Sequence, residues 1–115
     1  SGMVFETYVF DELYKSYCNA GKRPQLWFFR TNDRKEIDLL LEQNGTLFPI
    51  EVKKSASPVA SDAKNFSALD GVKADDLPPE LTAFKREVGT GAIICMADDA
   101  FPVGSRAWAM PLWAI

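Results

Sequence analysis

The chain has 115 residues, 47% of them hydrophobic and 25% charged, a balance that fits one globular domain with its own core and excludes a disordered chain. Thirteen Lys and Arg stand against sixteen Asp and Glu, for a formal net charge of −3, so bulk attraction to nucleic acid is weak. Histidine is absent and there are two cysteines, which excludes imidazole bases, Ser-His-Asp and Cys-His nucleophile systems, histidine metal sites and a disulfide framework.

Residues 3–19, "MVFETYVFDELYKSYCN", read as a helix: Phe5, Val9 and Leu13 recur at four-residue steps, and Phe10 and Tyr17 extend the apolar side. Glu6 lies on that flank, in line with Phe10, Leu13 and Tyr17. Gly21 is a C-terminal stop. The Ser-Gly start, falling at once into a helical pattern, reads as a piece of a longer protein. "LWFFR", 26–30, is an aromatic-rich strand, "EIDLLLEQ", 36–43, a second, and "TLFPIEVKK", 46–54, a third. Asn44-Gly45 between the last two is a hairpin signal, because a type I′ turn needs positive φ at both positions. A helix is expected over about 60–70, from the spacing of Ala63, Phe66 and Leu69. Residues 71–89 are turn-rich, with room for a short helix in "PPELTAFKRE". "AIICMA", 92–97, reads as a buried strand, "DDAFPVGS" as a loop, and "RAWAMPLWAI" as a last strand with an apolar tail. Trp108, Met110 and Trp113 are expected in the core, as are reduced Cys18 and Cys95 of a cytoplasmic protein. No apolar run approaches the length needed to cross a membrane. The order gives a single mixed α/β domain over 1–115, with about four to five strands, a central antiparallel hairpin and flanking helices.

The Asn44-Gly45 turn fixes the hairpin register. With Gln43 facing Thr46, Leu41 faces Phe48, Leu39 faces Ile50 and Ile37 faces Val52, an apolar core face. On the other face Leu40 meets Pro49, Asp38 meets Glu51 and Glu36 meets Lys53. Opposed side chains have Cβ atoms roughly 5 Å apart, where two like charges repel by about 3 kcal/mol at an effective dielectric near 20. Asp38 and Glu51 coexist there if one takes a proton, if a cation bridges them, or if both point into water. A solvated hairpin face, with Glu36 and Lys53 as an ordinary ion pair, is the plainer account of the same residues.

An acidic residue on the first helix, then an Asp, then Glu-x-Lys one strand later resembles the PD-(D/E)-x-K nuclease superfamily, with its restriction-endonuclease-like fold. The pieces are Glu6, Asp38 and Glu51-Val52-Lys53. The Pro-Asp start of that signature reads Ile37-Asp38 here. "GMVFETYVFDEL", "WFFRTNDRKEIDLLLEQNGTLFPIEVKKS" and "MPLWAI" further resemble an uncharacterised domain that follows an AAA-type ATP-binding domain in bacterial and archaeal proteins. Residues 71–89 match nothing in that pattern. The resemblance implies that Asp38, Glu51 and the Val52 carbonyl hold Mg²⁺ or Mn²⁺, that Lys53 positions or activates water, and that Glu6 binds water or a second metal. It implies nucleic acid, DNA before RNA, as substrate, and an ATPase domain of the same chain as partner. Lys22, Arg23, Arg30, Arg34, Lys35 and Lys54 are candidates for a local phosphate track, solvated surface being the plainer account of each one singly, and Lys64 lies on the helix after the motif strand. The alternative is a non-catalytic binding or regulatory module of that ATPase.

Overall fold

The computed structural model describes residues 2–21, 25–31, 34–70 and 87–115, the side chains of residues 2 and 3 excepted. Helix α1, Gly2–Asn19, lies on one face of a seven-stranded sheet. The strands are β1 (Leu26–Arg30), β2 (Glu36–Gln43), β3 (Thr46–Val52), β4 (Glu87–Val88), β5 (Gly91–Cys95), β6 (Phe101–Val103) and β7 (Ala107–Pro111). They run in the order β1-β2-β3-β5-β7-β6, with β4 paired to β3 beside β5. The β1–β2, β2–β3 and β6–β7 pairs are antiparallel, and the β3–β4, β3–β5 and β5–β7 pairs are parallel. This is the expected mixed α/β layer design around a central antiparallel hairpin. The strand count exceeds the expected four to five, because β4 is only two residues long and β6 forms inside "DDAFPVGS", which had read as a loop.

Two cores sandwich the sheet. On one face Val9 and Leu13 of α1 pack against Leu39, Leu41, Ile50 and Ile94, with Phe5, Phe48, Val52 and Met110 around them. On the other face Phe66, Leu69 and Ala63 cover Phe29, Ile37, Leu40 and Ile93. The covering segment, Ala60–Leu69, is not the α-helix expected from its spacing but two short 3₁₀ turns meeting at Ala63, whose φ of −104° and ψ of 15° break the helix. Three-residue periodicity still points Ala63, Phe66 and Leu69 at the sheet. Past β7 the tail turns into a short 3₁₀ segment, Leu112–Ala114. Trp108 and Trp113 do not join the core: they are 46% and 72% exposed. Cys95 is buried, but Cys18 is exposed near the end of α1. The short helix expected in "PPELTAFKRE" lies outside the described residues, except that Glu87 opens β4.

The hairpin turn has the expected form. Asn44 and Gly45 have φ of 53° and 84°, the positive pair that a type I′ turn requires. The register then follows as read from the sequence from Gln43↔Thr46 to Leu39↔Ile50. Beyond Leu39 it fails. Against β1, Trp27 pairs with Leu40 but Phe29 pairs with Ile37, so β2 spends two residues, Asp38 and Leu39, where β1 spends one. That β-bulge breaks the alternation of β2. Ile37, expected on the Leu39 and Leu41 face, sits instead in the opposite core with Leu40.

Candidate acidic site at the open end of the central hairpin

The bulge has a local chemical consequence. A regular ladder would continue from Leu39↔Ile50 to Ile37↔Val52, but no such pair forms. Two side chains close the gap in its place. The backbone N–H of Val52 donates to Asp38 Oδ2 at 2.8 Å, and the backbone N–H of Asp38 donates to Glu51 Oε1 at 3.2 Å. Each carboxylate therefore holds the other's strand. On its far side β3 stays in register with β5, Glu51 opposite Ile93 and Val52 opposite Ile94. The two acids meet where β3 parts from β2 yet remains fixed by β5.

Both acids are half-buried. The Glu51 carboxyl is pushed up to about 8, first by burial, then by the charge of Asp38; a hydrogen bond between the two carboxyl groups and the charge of Glu6 add to this, against the bond from the Asp38 backbone. Burial and the Asp38 charge thus favour the first of the three ways in which this pair can coexist, a proton on Glu51. Glu6 is raised too, by burial and then by Asp38 and Glu36. So the sequence-predicted acid of α1 does reach the electrostatic field of the pair. Bulging moves Asp38 towards it: Glu6, Asp38 and Glu36 line one cleft of about 260 Å³ with Phe28, Phe29, Arg30 and Ile37.

Lys53 is placed differently from expectation. Its Nζ lies 3.5 Å from Asp62 Oδ1, and its side chain is 54% exposed. Asp62 is in turn anchored by accepting the Val59 N–H at 2.8 Å. Glu36, expected to pair with Lys53, lies 3.5 Å from Arg30 Nε across the β1–β2 ladder. The ladder positions explain both changes, since Arg30 is the register partner of Glu36 and Lys53 lies beyond the last β2–β3 pair. Lys22 and Arg23 lie outside the described residues. Arg34, Lys35, Lys54 and Lys64 are exposed, away from the core.

The donor set suits a hard divalent cation, since Asp38 and Glu51 are all-oxygen ligands within reach of one another. Among the described residues no three His, Cys, Asp or Glu side chains converge closely enough to hold a metal. A small cation such as Mg²⁺ does not need three, because it keeps several waters and binds through one or two carboxylates plus substrate phosphates. Two further residues of the site were not singled out from the sequence: Phe28, which lines the cleft, and Asp62, which takes Lys53. The signal for Phe28 was available, because three consecutive aromatics on a five-residue strand cannot all face one core.

A model of the family described as Domain of unknown function (DUF4143) matches residues 1–115. Comparison with curated proteins gave no match. Comparison with solved structures gave none either.

Proposed function

We propose that this chain, which belongs to the DUF4143 family, is a PD-(D/E)-x-K-type domain whose Asp38 and Glu51 hold a divalent cation for phosphodiester hydrolysis of nucleic acid. The observation that carries the reading is the reciprocal pair at the bulge, where two half-buried carboxyl groups are held together on paired strands, each accepting a backbone N–H of the other's strand, in surroundings that raise the pKa of Glu51. A site that keeps a proton on Glu51 near neutral pH is one that a divalent cation relieves.

When bound, Mg²⁺ supplies a bound water of lowered pKa and positive charge for the scissile phosphate. The chain's own residues do the rest. Asp38 fixes the end of β3 through the Val52 N–H, so the Glu51-Val52-Lys53 segment presents its groups in one geometry. Glu6 stands on the other wall of the cleft, where its raised pKa suits it to hold a proton or order water. Arg30 lines the same cleft and offers a guanidinium to a phosphate. Lys53 reaches the substrate by leaving Asp62, an exchange within the rotamers of an exposed side chain. In a longer chain the domain would follow an ATP-binding domain, as the sequence resemblance implies.

The Lys53–Asp62 ion pair favours a second reading, a non-catalytic module in which the same groups are structural. Calorimetric titration of Mg²⁺ and Mn²⁺ separates the two. One saturable site, lost in Asp38→Ala and Glu51→Ala, supports the catalytic reading. Binding unchanged in both variants places the metal elsewhere and sinks it.

A further inference from the structure

Phe28 is 70% exposed on β1. Its ring stacks on Phe10 of α1, with centroids 5.9 Å apart and planes 14° from parallel. Phe10 in turn stacks on Tyr14, at 6.4 Å and 21°. Three aromatic rings thus form a row whose outer member is largely open to solvent. Phe28 is also shared by two clefts. One, of about 260 Å³, holds Glu6, Arg30, Glu36 and Asp38. The other, of about 400 Å³, is lined by Glu6, Thr7, Phe10 and Leu39 beside it, a volume within the range of small-ligand sites.

We propose that Phe28, backed by Phe10 and Tyr14, is a stacking platform for an unpaired nucleobase, so that the strand entering the acidic cleft is single-stranded or locally unpaired. The inference rests on the nuclease reading above and names its substrate class. A base inside a duplex has both faces covered by its neighbours, so only a base outside the stack can lie on an exposed ring. Every base has a π-face, and an aromatic platform is accordingly tolerant of sequence. The cleft next to it is lined by Arg30, which would take the phosphate, and by Asp38, whose carboxylate accepts the Val52 N–H beside Glu51, so base, phosphate and metal would have adjacent places. A two-fold contact through Phe28 would bring Glu6, Glu36 and Asp38 of each copy towards their like-charged counterparts; the same acids also repel a phosphate backbone, which on the nuclease reading is offset by the bound cation and by Arg30.

The test is fluorescence anisotropy of a labelled oligo-dT of about fifteen nucleotides and of the matching duplex, at low salt, with the wild-type chain and with Phe28→Ala, Phe28→Leu and Phe28→Trp. The expected result is at least about tenfold tighter binding of the single strand, weakened about five- to a hundred-fold in Phe28→Ala. Phe28→Leu should behave as Phe28→Ala, since it restores apolar area but no π-face, and Phe28→Trp should retain binding. An exposed position makes folded variants the expectation, checked by circular dichroism. Equal binding of the two oligonucleotides, no saturable binding of either, or full retention in Phe28→Leu overturns the platform. So does sedimentation showing a wild-type dimer that Phe28→Ala dissolves, which would make the face an interface. The metal titration is independent of this readout. Loss of metal binding with Phe28-dependent single-strand binding intact fails the nuclease reading alone, and the converse result fails the platform alone.

Discussion

Glu51 binds its proton more tightly in the fold than in the unfolded chain, about 8 against 4.5. Between those values the native state holds more protons than the unfolded state, so this group's contribution to stability falls as pH rises from 4.5 to 8. A Gln at this position keeps an oxygen for the Asp38 N–H and removes the charge. Glu51→Gln should therefore stabilise the protein by roughly 1–3 kcal/mol at pH 8, after allowing for solvent screening at a half-buried group, and by almost nothing at pH 4. Urea titrations at the two pH values check this, and an equal effect at both would mean that burial, not ionisation, governs the position. Asp38 acts in two ways that its own variants separate. Asp38→Ala leaves the Val52 N–H without its acceptor, a loss of about 1–3 kcal/mol at low pH. At pH 8 the same variant also relieves the repulsion on Glu51, so its cost should shrink. Asp38→Asn keeps an acceptor and should show only the relief.

The bulge and the crossover decide what those residues can do. The crossover from β3 to β5 carries Phe66, fully buried, across the sheet directly above Gly91. A Cβ at Gly91 would run into the Phe66 ring and approach the Pro49 carbonyl oxygen at 2.7 Å. Neither can yield, since one is core and the other backbone. Gly91→Ala should cost about 1–3 kcal/mol, seen as a thermal midpoint lowered by several degrees; an unchanged midpoint would show that the crossover floats above β5. How much of this was legible in the sequence follows the range of the forces. The bounds of β1 and β2, the start of β3 and the type I′ turn are local, set by composition and by φ at Asn44 and Gly45, and they were readable. So was the approach of Asp38 to Glu51, because the turn fixes register for five pairs before the ladder opens. The bulge was not readable. It is set by how β1 pairs with β2 from the other side, where Phe29 takes Ile37, and strict alternation carries no trace of a neighbour. The partner of Lys53 was hidden for the same reason: Asp62 comes from a crossover nine residues on, whose 3₁₀ geometry is chosen by packing on the sheet.

At the scale of the whole molecule, the proposed cation site would link cation binding, proton binding and folding through the same two carboxyl groups. A cation that binds only the folded form raises stability by RT ln(1 + [L]/Kd), about 1.4 kcal/mol at ten times Kd, or roughly 5–10 °C in the melting temperature of a domain this size. The proton on Glu51 competes for the same oxygens. With its pKa raised to about 8, Glu51 is largely protonated at pH 6, so the apparent affinity there should be at least about tenfold weaker than well above pH 8. Millimolar Mg²⁺ should then raise the midpoint clearly at pH 8.5 and hardly at pH 6. Binding should also release a proton, visible as a calorimetric enthalpy that changes with the ionisation heat of the buffer. In Glu51→Gln both the pH dependence and the proton release should vanish, even if weak binding through Asp38 persists. A midpoint shift of the same size at both pH values would place the cation on the exposed acids of the surface, because the proton held between Asp38 and Glu51 would not have been displaced.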